Sequence, residues 1–102
     1  MGYILIFITN PNKKVADKIA LHLLKKRLIA CANIFPITSA YWWKGKLEKA
    51  REWMLIAKSI DKNFNKIVKE VKKTHPYEVP VIEKISIDAN KECIEWLKEE
   101  LR

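Results

Sequence analysis

The chain has 102 residues, 49% of them hydrophobic and 31% charged. That is enough apolar material for one domain over 1–102 that needs no disulfide or metal to fold, and too much for a disordered chain. No apolar run approaches the ~20 residues of a membrane span, and the net charge of +8, carried by lysines dispersed along the sequence, favours anionic partners without bearing on the fold.

"YILIFIT" (3–9) is a continuous β-branched run and reads as a central strand buried on both faces. It has no basic flank or small-residue cleavage pattern, so it is not a signal peptide, and the expected compartment is cytoplasmic. In "NPN", Asn10 is the expected N-cap and Pro11 the first helical residue. Val15, Ile19 and Leu23, with Ala16, Ala20 and Leu24 beside them, then make one apolar helical stripe up to Arg27. "LIACANIFPITSAYWW" (28–43) is β-rich, and its Pro36 marks a bulge or a sheet edge. "KGK" (44–46) turns the chain, and "EWMLIAKSI" (52–60) is the returning strand of a long hairpin.

Phe64, Ile67, Val68 and Val71 set helical spacing over 61–75, and Pro76 ends that helix. "VPVIEKISID" (79–88) is a strand, and 90–102 is a short amphipathic helix with Ile94, Leu97 and Leu101 inward. The order β-α-β-β-α-β-α predicts an α+β fold, the ferredoxin-like split β-α-β sandwich, with two helices on one sheet face and a bare second face. Only Gly2 and Gly45 are glycine, which excludes a Gly-rich phosphate loop. Neighbours on a strand point to opposite faces. One of Trp42 and Trp43 is therefore expected in the domain's own core and the other outside, packed with Tyr41 against another subunit.

"KRLIACANI" (26–34), "YWWKGKLE" (41–48), "LIAKS" (55–59), "HPYEVPVI" (75–82) and "IEWL" (94–97) resemble the CutA divalent-cation tolerance family, in its order and spacing. The resemblance implies a compact homotrimer with PII-like architecture, sealed by the long hairpins. It further implies copper and divalent-ion tolerance with metal binding, and a signalling role by analogy to PII proteins. Some bacterial members carry a cysteine and a His-His pair as suggested copper ligands. Ile8, Thr74 and His75 stand at those positions here. Val81 replaces a common glutamate, and "DANKE" replaces a usual glycine.

His75 is the best single metal ligand, with Tyr77 and Glu78 beside it, and the alternative is a histidine bonded to the last helical carbonyls. One imidazole and one carboxylate predict weak, poorly selective divalent-ion binding, with Cu²⁺ strongest. His22 reads as a helix-flank residue, and Cys31 and Cys93 as buried small apolar residues, Cys31 being also a natural Cu(I) thiolate. Cys31 with His75 is the only nucleophile–base pair available, and nothing in the sequence joins them, so the expected protein is not an enzyme. Tyr41, Trp42, Trp43, Glu48, Glu52, Lys58, Tyr77 and Glu78 gather on the hairpin and the "HPYE" turn. They form either a ligand cleft between subunits or an inter-subunit salt-bridge set. A basic nucleic-acid-binding module that stacks bases on exposed aromatics is the alternative class. It is disfavoured, because "YWWKGK" does not match the aromatic RNP signature.

Overall fold

Tyr3–Asn10 form β1 in the computed structural model, which describes residues 2–101, and the strand alternates strictly between half-buried and buried side chains. Ile4, Ile6 and Ile8 are at most 1% exposed. One face of β1 is thus closed, and the other is only half covered, unlike the two-sided burial its apolar run suggests. Asn10 does not cap the next helix. It ends β1 fully buried, and its Nδ2 donates to the Ile8 and Trp53 carbonyls at 3.0 and 3.1 Å. The chain needs two more residues to turn, so Asn12 caps α1 (Lys13–Lys25), accepting the Val15 N–H at 2.9 Å.

β2 (Cys31–Trp43) and β3 (Lys46–Ile60) form one uninterrupted antiparallel ladder. Lys44 and Gly45 both have positive φ, 49° and 79°, and make the two-residue turn between Trp43 and Lys46 whose twist suits a hairpin. β3 therefore starts at Lys46 rather than residue 52, because the polar "KLEKARE" keeps a ladder partner at every position. The sheet order is β2-β3-β1-β4, with β4 at Ile82–Ile87. Pro36 sits in unbroken register opposite Trp53, so it marks an edge strand and not a bulge. A short 3-10 turn (Asp61–Asn63) leads into α2 (Phe64–Thr74). The split β-α-β arrangement read from the sequence is present.

Ile19 and Leu23 of α1 and Ile67 and Val71 of α2 close over Ile4, Ile6, Ile8, Leu55 and Ala57. Burying each large aliphatic side chain there contributes about 1.5–3 kcal/mol. The second sheet face is not bare. α3 (Lys91–Glu100) lies across one end of it, where Leu97 and Leu101 pack on Ile60 with Tyr3 and Ala30 beside them. Ile60 follows Ser59, which points to the first core, so this small core lies on the opposite face. Arg27 ties α3 down by donating to the Glu100 carbonyl at 3.2 Å. Arg102, expected at the end of this helix, lies outside the described residues.

The charge is less dispersed than the sequence suggests. Segments 11–27 and 61–75, which build the helical layer, hold eleven basic and three acidic residues, equal to the whole net +8. Everything else balances at nine of each sign.

β1 pairs with β3 only as far as Asn10 opposite Trp53. Beyond that point Ile37–Trp43 and Lys46–Glu52 pair only with each other, as a ribbon that stretches the molecule to 44 Å against 24 and 21 Å in the other directions. Neither Trp42 nor Trp43 enters the core. They are 73% and 37% exposed, because the core ends where β1 ends.

Candidate functional site

His75 follows the last turn of α2, and its N–H closes that turn on the Val71 carbonyl at 2.9 Å. Pro76 disfavours helical backbone at the preceding residue, and His75 is extended, at φ −73° and ψ 132°. That conformation lays the imidazole against the end of β1. Nε2 lies 2.9 Å from the Thr9 carbonyl, and Nδ1 lies 3.1 Å from the Tyr77 N–H. A carbonyl can only accept and an amide N–H can only donate. The ring is therefore the Nε2–H tautomer, with its lone pair already used. The His75 ring bonds a strand carbonyl, and only its backbone N–H bonds a carbonyl of the last helical turn.

Tyr77 stands edge-on to His75 at 4.8 Å between ring centres and donates its hydroxyl to Glu52 Oε2 at 2.5 Å. Burial first, and then the Glu52 carboxylate, push the Tyr77 phenol above its ordinary range, so it remains a donor. Thr9, His75, Tyr77 and Glu52 thus form a chain of contacts that fastens the "HPY" segment across β1 to the base of the ribbon. A cavity of about 560 Å³ opens between this segment and the ribbon. Tyr41, Trp42, Trp43, Glu52, Tyr77 and Glu78 line it, so six of the residues singled out from the sequence converge. Lys44 bridges two of the lining residues, 5.4 Å from the Trp43 ring centre and 3.5 Å from the Glu78 carboxylate.

Two of the predicted cluster lie elsewhere. Glu48 is half-buried directly opposite Tyr41 on the ribbon and does not border the cavity. Lys58 is six residues along β3 from Glu52, roughly 20 Å at strand rise. It faces Cys31, with Nζ 3.5 Å from Sγ. Cys31 is accordingly half-buried on an edge strand and not a core residue, and Cys93 is half-buried beside Ile60. His22 is more than a flank. Its Nε2 lies 2.9 Å from Glu70, which also binds Lys73 at 2.8 Å and Lys26 at 3.2 Å. Lys73, His22 and Lys26 together pull the Glu70 carboxyl down to about 2. Sequence reasoning missed Thr9, Pro76 and Val79 in the cavity wall. The signal available for Thr9 was its place as the last outward residue before the buried strand end.

Within one chain His75 and Glu78 take separate partners. The histidine's nitrogens are both engaged, Glu78 turns to Lys44, and among the described residues no three His, Cys, Asp or Glu side chains are placed to hold one ion.

A family model described as CutA1 divalent ion tolerance protein matches residues 4–100. A relative called divalent-cation tolerance protein CutA from Archaeoglobus fulgidus is 44% identical, over 92% of this chain and 93% of the relative. A relative of the same description from Thermotoga maritima is 41% identical, over 94% of this chain and 96% of its own. The solved structure described as the periplasmic divalent cation tolerance protein CutA from Archaeoglobus fulgidus superposes with a TM-score of 0.95. It is 42% identical and covers 98% of this chain and 99% of its own.

Proposed function

The chain belongs to the CutA1 divalent ion tolerance family, and from that premise we propose that it is a divalent-cation tolerance protein that acts by assembly and binding, without turnover. Nothing in the family match or the relatives supports the nucleic-acid alternative.

The observation that carries the assembly reading is the ribbon. A lone two-stranded hairpin is at best marginally stable in water. This one is straight in register to its tip and presents Tyr41, Trp42 and Leu47, each at least 41% exposed. Large aromatic rings held in the open mark an interface. We therefore read the arm as the part that seals each subunit to the next in a homotrimer. The non-catalytic reading rests on the candidate pair. Cys31 sits by Lys58, and His75 has no free lone pair to act as base.

A divalent ion at His75 has to displace the Tyr77 N–H from Nδ1, so binding there is weak, with Cu²⁺ ahead of Ni²⁺ and Zn²⁺. Sedimentation equilibrium at micromolar concentration tests the assembly, where a mass of three chains is expected and a monomer refutes it. Calorimetric titration of Cu²⁺ into wild type and His75→Ala tests the metal. Weak binding reduced in the variant supports His75, and equal binding in both removes it.

A further inference from the structure

The cavity beneath the ribbon contains a charge that the chain itself does not answer. Glu52 is 5% exposed. Its carboxylate receives one hydrogen bond, from Tyr77, and no lysine, arginine or histidine among the described residues pairs with it. A buried carboxylate without a cation is unfavourable, because one neutral donor replaces little of its hydration. The surrounding wall is built of rings, whose faces attract cations. The chain already shows this recognition with its own side chain, since the Lys44 ammonium meets the Trp43 ring and the Glu78 carboxylate together.

We propose that this cavity is a binding site for a small organic ammonium ion, whose apolar body lies between the rings of Tyr41, Trp43 and Tyr77 and whose N–H groups reach the Glu52 carboxylate. The volume of about 560 Å³ lies within the range of sites for small organic ligands, roughly 300–1,000 Å³. Tyr77 occupies Oε2, which leaves Oε1 of Glu52 for the ammonium. A divalent metal ion does not suit the place. It calls for several oxygen or nitrogen ligands, and of the two carboxylates in the lining Glu78 is paired with Lys44, which leaves Glu52 beside the Tyr77 hydroxyl among the rings. Tyr41 and Trp42 border both this cavity and the arm's exposed surface, so the site lies at the edge of the assembly contact read above and rests on that reading.

The test is titration of hexylammonium into the full chain, followed by calorimetry and tryptophan fluorescence, with 1-hexanol and hexanoate as probes of equal length. Saturable binding of hexylammonium is expected, at least tenfold tighter than 1-hexanol, with no binding of hexanoate. Glu52→Gln should weaken hexylammonium at least tenfold while its far-UV spectrum and melting temperature show it folded. If that variant does not fold, the preference of the wild type for ammonium over alcohol and carboxylate decides the matter alone. Equal binding of the alcohol and the ammonium, or no saturable binding of either, overturns the proposal. So does a Glu52→Gln variant that loses oligomer mass while the wild type ignores hexylammonium, because the occupant is then a cationic side chain of a second copy. Assembly is read by mass and this site by ligand, so failure of one reading is visible apart from failure of the other.

Discussion

The two halves of the hairpin share one ladder and differ in everything that surrounds it. In the half nearest the body, Leu55 and Ala57 are fully buried, flanked by β1 and roofed by both long helices. In the far half the backbone pairing is just as regular, yet Trp42 is 73% and Leu47 60% exposed. The β2–β3 ladder therefore does not distinguish the halves, and the second ladder to β1 and side-chain cover do. The near half contributes to the stability of the chain. The far half holds apolar surface that the chain leaves uncovered, and that surface is where a second copy has something to gain.

The sharpest way to break this comparison is to truncate one large apolar side chain in each half. Leu55→Ala, in the near half, should destabilise the fold by about 2–5 kcal/mol in chemical denaturation, since a fully buried leucine leaves a cavity. Trp42→Ala, in the far half, should leave the secondary structure intact and weaken self-association by on the order of 2–4 kcal/mol, measured by sedimentation equilibrium. If Trp42→Ala unfolds the chain, the far half belongs to the body after all.

The contacts at the junction between the halves sharpen the boundary. Tyr77→Phe removes the donor from Glu52 and should cost about 1–3 kcal/mol, because the carboxylate is left without its partner. It should also change the alkaline limb. The Tyr77 phenol is raised above its ordinary 10.0, so its contribution is complete below about pH 10 and is lost as pH rises beyond it. Stability of Tyr77→Phe should fall less steeply above pH 10 than that of the wild type, and parallel curves contradict the assignment. The smallest effect lies far from the ribbon. Glu70 is lowered from 4.5 to about 2 by Lys73, His22 and Lys26. Its contribution is present above pH 4.5 and lost as pH falls towards 2. Glu70→Gln should flatten that acid limb while leaving assembly at neutral pH unchanged.

Where a residue's partner is local, the sequence was enough. The apolar stripe of α1 and the order of elements follow from spacing of a few residues, whereas Pro36 left bulge and edge both open until the register with Trp53 decided for the edge. Where the partner is remote, it was not. Asn10 resembles a helix cap until Trp53 supplies the carbonyl that buries it. The returning strand is placed at residue 52 instead of Lys46, because the partners of polar "KLEKARE" are visible only once Trp43 and Lys46 face each other. Both tryptophans of "YWW" were expected to divide between core and surface, which presumes a core beside them, and the sheet narrows to two strands before they are reached. In the candidate site, residue types and neighbourhood pointed to six of the cavity's side chains. Lys58 does not join them, because six residues of extended strand separate it from Glu52. The engagement of both His75 nitrogens needed the Thr9 carbonyl, which no motif contains.

The central claim is that the far half of the hairpin joins copies of this chain, and sedimentation velocity of the wild type beside Trp42→Lys at micromolar concentration tests it most directly. The account predicts a three-chain species for the wild type and a folded monomer for Trp42→Lys, with unchanged far-UV dichroism. A monomeric wild type, or a Trp42→Lys variant that keeps the three-chain mass, contradicts it.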